Sequence, residues 1–205
     1  MNVVFDAMGT LFDLAPIRER LGAAATEAWF ERILHSAAAL TMLGEFVPFK
    51  DLARTTLATT AAKLGIDADQ NDVLAQLQRL PPADGARAAL ERVEHAYVLT
   101  NGGREGGEKL LENAGLADLV ERVFGVDEVE AYKPDPRPYR LLCERLDLPS
   151  EQVTLVAAHA WDCFGAREAG LQTVWIPRGS ERWAFEPPEP RRAGGLADAA
   201  REATA

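Results

Sequence analysis

Cysteine is scarce in this chain. Among 205 residues there are two, Cys143 and Cys163, and neither belongs to a CxxC pair. That excludes a disulfide framework. Both lie in stretches with helical spacing, where a cysteine serves as a small buried hydrophobe. Histidine is equally sparse, with three. No apolar run approaches the ~18 residues that cross a bilayer. Met1 to Asp13 shows no basic segment ahead of a signal-length apolar run, so the expected location is the cytoplasm. Positive charge is in deficit: 22 Lys and Arg against 32 Asp and Glu, a formal net charge of -10. A chain of that sign is repelled by phosphate backbones and anionic lipids, so neither nucleic acid nor membrane is expected as a partner. A small anionic substrate remains compatible, provided local positive charge overrides the global field.

What the chain does have is an alternation of short apolar runs and helical stretches. Its composition, 47% hydrophobic and 26% charged, is that of a folded domain. Asn2 to Phe5 reads as a buried parallel strand that delivers Asp6 at its C-terminal end. From about Ala15 to Leu80 no strand is expected. Helical spacing runs through Ala23–Leu43, Phe49–Leu64 and Asn71–Leu80. After Pro81-Pro82 the alternation resumes. Strands are expected at Ala96–Thr100, Val123–Val126, Val153–Ala157 and Thr173–Ile176. Helices are expected at Asp84–Val93, Glu105–Ala114, Pro138–Leu146 and Asp162–Ala169, with a last one at Leu196–Thr204 after a loop from Arg178 to Pro190. Strands separated by helices imply right-handed crossovers and a parallel sheet. The expected fold is therefore α/β, a doubly wound, Rossmann-like parallel sheet formed by 1–14 and 81–205. An all-helical cap, 15–80, is inserted into it.

Ligands in such sheets bind beyond the carboxyl ends of the strands. The polar groups expected at that edge are Asp6 and Thr10, Thr100 and Asn101, Lys133, and His159 with Asp162. Taken singly, an Asp or a Thr-Asn-Gly after a strand is a turn former, and a Lys is a solvated charge. Taken together, a carboxylate, a hydroxyl–amide pair, a lysine and a second carboxylate at one edge are a catalytic inventory.

These residues resemble the haloacid dehalogenase-like superfamily. The match lies in Asp6-Ala7-Met8-Gly9-Thr10-Leu11-Phe12-Asp13 and Leu99-Thr100-Asn101-Gly102. It continues in Tyr132-Lys133-Pro134-Asp135 and Ala160-Trp161-Asp162, with Gly165, Ala166 and Gly170 beyond. The helical stretch fits that family's cap. The phosphatase branch carries an acid two places after the nucleophile and an acidic metal ligand just after the fourth strand. Here those places hold Met8 and Ala158. A thioether and a methyl cannot complete the hard oxygen shell Mg²⁺ demands, nor protonate a leaving alkoxide.

The resemblance is instead to the L-2-haloacid dehalogenases, which imply no metal and no cofactor. A halide leaves as a stable anion and needs no acid. The roles implied are these. Asp6 attacks carbon 2 of a small 2-haloacid and forms an ester that water reopens. Lys133 keeps Asp6 ionised, Asp162 positions Lys133 and the water, and Thr10 hydrogen-bonds Asp6. Thr100 and Asn101 hold the substrate carboxylate, Tyr139 supports the site, and Met8 lies beside it.

Two places depart from the pattern. Ser-Ser-Asn ahead of the Ala-Trp-Asp run is replaced by Ala157-Ala158-His159. The halide-binding arginine of the cap falls on Phe30, with Arg32 and Arg18 nearby. His159 is expected to face the halide as an N–H donor, a geometry that suits a small, strongly accepting halide such as fluoride. Its other reading is a backbone-bonded helix cap. Trp29 and Phe30 line a halide pocket or, more ordinarily, a helix core. His35 and His95 are expected to be incidental. Two other readings stay open: a Mg²⁺-dependent phosphatase, and a non-catalytic relative that binds a small acid. Dehalogenases of this kind are often homodimers, though nothing in the periodicity here demands one.

Overall fold

The computed structural model describes residues 1–179, 181–186 and 188–204. Strand β1 (Asn2–Asp6) lies at the centre of a six-stranded parallel sheet. Four helices follow it without an intervening strand: α1 (Ala15–Leu21), α2 (Ala23–Leu43), α3 (Phe49–Leu64) and α4 (Gln70–Gln76). They form the helical cap region. The chain then alternates through α5 (Ala86–Arg92), β2 (His95–Thr100), α6 (Arg104–Asn113), β3 (Arg122–Gly125), α7 (Pro136–Leu146), β4 (Val153–Ala157), α8 (Ala160–Glu168) and β5 (Gln172–Trp175). It closes with β6 (Arg191–Arg192) and α9 (Leu196–Ala203). The strand order is β3-β2-β1-β4-β5-β6. The winding direction reverses at β1, and the crevice at such a reversal is where doubly wound sheets place their ligands.

Alternation along β1 divides the interior in two. Val3 and Phe5 point to one face, where α5, α6 and α9 contribute Leu90, Leu110 and Ala199. Val4 points to the other, against Tyr139, Leu142 and Cys163 of α7 and α8. Burial on both faces explains why β1 reads as a continuous apolar run. The first of these cores continues into the cap through Ile17, Leu21, Trp29 and Ile33.

The differences from expectation have local causes. Helix α2 has the bounds expected of it, and the short α1, for which no separate segment was expected, is set off from it by Gly22 at φ 81°. Helix α4 ends at Gln76 rather than Leu80, because the chain must straighten for Pro82 to pair with Phe12 as it re-enters the core. Its start is fixed by Asp69, whose carboxylate accepts from the N–H groups of Asn71 and Asp72. Strand β6 is two exposed arginines beside β5 and carries no hydrophobic signal. Ser180 and Pro187, within the stretch expected as loop, lie outside the described residues.

Candidate active site

Asp6 is the last residue of β1, paired in register with Leu99 of β2. Its Oδ1 accepts from Lys133 Nζ at 2.9 Å, and its Oδ2 from Thr10 Oγ1 at 2.7 Å. The turn after β1 brings Thr10 back over the strand end, where its oxygen in turn accepts the Ala158 N–H at 3.0 Å. Lys133, on the segment leading to α7, is fully buried. It also donates to Asp162 Oδ2 at 2.6 Å and to the Leu99 carbonyl at 3.1 Å. Asp162 is in the first turn of α8 and has no exposed surface; its Oδ1 accepts from the Tyr139 hydroxyl at 2.6 Å. Every polar group in this chain of contacts is thus paired, as buried charge requires.

The electrostatics separate the two carboxylates that share Lys133. Burial alone would raise both. At Asp6 the Lys133 ammonium and the hydrogen bond from His159 outweigh burial and hold the carboxyl well below the ordinary carboxylate range. At Asp162 burial dominates, Lys133 opposes it, and the Asp6 charge adds to it, so the carboxyl is raised. Burial likewise works against the Lys133 charge, but Asp162 and Asp6 overcome it and its pKa rises. Burial, then the Asp162 charge, pushes the Tyr139 hydroxyl up, so it remains a donor. The outcome is an ionised Asp6 held by a charged lysine in a site nearly closed to water.

His159, at the N-terminal boundary of α8, sets its Nδ1 3.1 Å from Asp6 Oδ2. Its ring stacks on Trp161 with centroids 5.3 Å apart. Gly9, at φ 84°, makes that approach possible, since a Cβ there would stand 2.9 Å from the imidazole Cε1. His159 therefore turns its Nδ1 to Asp6; only Nε2 is left for a halide. The helix-cap alternative is not realised, because the His159 side chain makes no capping hydrogen bond.

A cavity of about 40 Å³ opens over Asp6. Its roof is apolar and comes from the cap: Phe30, Ile33, Leu34, Ala37 and Phe49. Its floor and sides are Met8, Thr100, Asn101, Tyr132, His159 and Trp161. The volume exceeds the ~10–15 Å³ that one water requires and suits a ligand of a few heavy atoms. Asn101 Oδ1 accepts the Lys133 N–H at 2.9 Å, and Thr100 Oγ1 accepts the Gly102 N–H at 3.0 Å. The amide NH₂ of Asn101 and the hydroxyl proton of Thr100 are left for a ligand.

Asp6, Met8, Thr10, Thr100, Asn101, Lys133, Tyr139, His159 and Asp162 thus come together in one place. Asp162 does so behind Lys133 rather than on the cavity wall. The cap arginines do not join them: Arg32 donates to Thr60 at 3.1 Å, and Arg18 pairs with Asp13. Trp29 is a core residue, its Nε1 3.1 Å from both the Ala53 carbonyl and Thr56. Its neighbour Phe30 faces the cavity. His95 pairs with Glu121, and His35 is exposed. Among the described residues no group of three or more His, Cys, Asp and Glu is placed to hold a metal ion. The sequence reading overlooked Ile33, Leu34 and Phe49 as cavity residues; their helical spacing is that of any packed cap. It also overlooked Tyr132, whose hydroxyl donates to the Val47 carbonyl at 2.7 Å.

Residues 1–170 match the family model described as a hydrolase, haloacid dehalogenase-like hydrolase. The chain is 32% identical to (S)-2-haloacid dehalogenase 1 of Pseudomonas sp. strain CBS-3, over 85% of this chain and 83% of that protein. The L-2-haloacid dehalogenase of Xanthobacter autotrophicus superposes with a TM-score of 0.90 at 26% identity, covering 98% of this chain and 96% of that one. The structure of that enzyme with chloropropionic acid covalently bound gives a TM-score of 0.88 at 25% identity, with the same coverage.

Proposed function

Since the chain belongs to the haloacid dehalogenase-like hydrolases, in the L-2-haloacid dehalogenase group, we propose that it hydrolyses the carbon–halogen bond of small 2-haloacids through an ester on Asp6. The observation that carries this reading is an Asp6 carboxylate held ionised by buried Lys133, at the floor of a small apolar cavity. The covalently bound chloropropionic acid in the Xanthobacter enzyme supports the same chemistry here.

In the proposed reaction Asp6 displaces halide from carbon 2 and forms an ester. Water then attacks the ester carbonyl, releasing the 2-hydroxyacid and one proton and restoring the carboxylate. Lys133 fixes the orientation and charge of Asp6. Asp162 and Tyr139 act through Lys133. The NH₂ of Asn101 and the hydroxyl of Thr100 meet the substrate carboxylate. The halide leaves toward the apolar roof, where Phe30 stands in place of an arginine. Nε2 of His159 is the ring atom left to meet a small halide. Phosphoryl transfer is disfavoured because Met8 and Ala158 offer neither an acid nor a metal ligand.

The test is halide release from fluoro-, chloro- and bromoacetate and both 2-chloropropionate enantiomers, with EDTA present and Asp6→Asn as the blank. Release by the wild type alone is the expected result, and fluoride release would support the small-halide preference. Silence across the panel would abandon dehalogenation in favour of binding without turnover. Phosphate release from phosphate esters, restored by Mg²⁺, would favour the phosphatase.

A further inference from the structure

The oxygens of Asp6 are not equivalent. Oδ1 receives one hydrogen bond, from Lys133. Oδ2 receives two, from Thr10 at 2.7 Å and His159 at 3.1 Å. The donor directions are fixed. Thr10 already accepts the Ala158 N–H on its oxygen, so its own proton faces Asp6. An ionised carboxylate has no proton to give, so Nδ1 of His159 must carry the one between them. With two lone pairs on each oxygen, Oδ2 is saturated and Oδ1 keeps one pair free. Oδ1 is therefore the atom placed to attack, and Oδ2 is the atom left as the carbonyl oxygen of the ester.

We propose that Thr10 and His159 form an oxyanion hole at Asp6 Oδ2, and that His159, through its Nδ1 N–H, is a catalytic residue of ester hydrolysis. The inference rests on the dehalogenase reading above.

In the second half of the reaction water adds to Cγ of Asp6. One water proton goes to solvent, and the carbonyl electron pair moves onto Oδ2. The negative charge then sits on the oxygen already facing two N–H and O–H donors. Distances of 2.7 and 3.1 Å are those such donors need toward the atom where charge develops. Collapse re-forms the Cγ–Oδ2 double bond and breaks the Cγ–Oδ1 bond. The product alkoxide leaves with Oδ1 and takes a proton from solvent. Asp6 keeps Oδ2 and the oxygen from water, and loses its acidic proton. One proton is released overall, as hydrolysis of a haloacid requires.

The surroundings hold the hole rigid. Stacking on Trp161 and the close pass over Gly9 fix the imidazole. The carbonyl of Ala158 is tied to Trp175 Nε1 at 3.1 Å while its N–H holds Thr10. Donors that need no reorganisation contribute most to catalysis.

With chloride, larger than the small halide that Nε2 is placed to meet, the first half-reaction draws chiefly on other groups, and that separation supplies the test. Wild type, His159→Ala and His159→Asn are mixed with (S)-2-chloropropionate. The first equivalent of chloride, steady-state turnover and intact protein mass are followed. In His159→Ala the first equivalent is released at close to the wild-type rate. Turnover then falls by about 10²–10³-fold, and the mass of the ester accumulates on the protein. His159→Asn, whose side-chain N–H replaces that of Nδ1, recovers most of the lost turnover. Equal slowing of the first equivalent and of turnover would overturn the proposal, as would unchanged turnover in His159→Ala. Failure of the asparagine to rescue would also overturn it, since proton abstraction by the ring would then be the better account. If His159→Ala does not fold, Thr10→Val tests the same hole from its other donor, with the same outcomes expected. Absence of chloride release by the wild type is a different result, and it would remove the dehalogenase reading itself.

Discussion

The backbone N–H of Ala158 donates to the hydroxyl of Thr10 at 3.0 Å. The C-terminal end of β4 is thereby locked to the turn after β1, and Thr10 is left with only its proton to offer Asp6. A phosphatase of this family presents an acidic side chain at this place; here a methyl group and an occupied amide stand there. The expected outcome is a rate that EDTA leaves unchanged and added Mg²⁺ does not raise, measured as halide release after exhaustive chelation. A rate that disappears on chelation and returns with Mg²⁺ would contradict a metal-independent reaction at Asp6.

Asp6 and Lys133 give the protein its pH signature. The folded pKa of Asp6 lies below the unfolded value of about 3.9. Its contribution to stability is therefore present above that value and is lost as pH falls through the folded one. Lys133 is shifted upward. Its contribution is complete below about pH 10.4 and is lost as pH rises through the folded value. The kcat/KM profile for chloroacetate should accordingly show no limb from Asp6 above about pH 4. A limb from Asp6 above that pH would mean that its carboxyl is not held ionised.

Lys133→Met removes the cation between two buried carboxylates. Breaking such a pair leaves uncompensated charge and costs about 3–5 kcal/mol, which urea unfolding can measure. Adding Asp162→Asn removes one of the stranded charges and should recover part of that stability. Activity should not return, because Asp6 still lacks its lysine. Full stability in the single variant would mean that the pair is far better solvated than its burial indicates.

Tyr132 ties the cap to the core beside the lysine. Its hydroxyl donates to the Val47 carbonyl, its N–H donates to Thr41 Oγ1 at 3.1 Å, and its ring packs on Phe46 with centroids 5.3 Å apart. Tyr132→Phe should cost about 1 kcal/mol of cap closure, roughly a fivefold loss in kcat/KM. The loss should appear mainly in KM. A fall confined to kcat would place the residue in the chemistry instead.

The centre of the candidate site was legible because it lies where periodicity stops. Asp6 ends an apolar run, Lys133 precedes a proline, and Asp162 opens a helix; these are breaks in pattern, visible without coordinates. The cap was legible only as helices. Trp29 and Phe30 are adjacent aromatics, yet one fills the cap core and the other faces the cavity. Helical spacing marks buried positions but does not distinguish a wall against protein from a wall against ligand. The partner of Gly165 was hidden for a related reason. A Cβ there would stand 2.5 Å from Cβ of Pro134, a contact between segments remote in sequence. The roles of the Asp6 oxygens could not be read at all, since they depend on which donors reach which atom.

The central position of β1 also shapes how the chain is made. Its first residues pair with His95 on one side and Val153 on the other. At roughly 5–20 residues per second, the second edge of this apolar strand stays open for on the order of ten seconds after it is synthesised. The segment bearing Asp6 is thus the one most exposed to mispairing on the ribosome. Substitutions that slow pairing of β4 should reduce the yield of soluble enzyme before they alter its turnover.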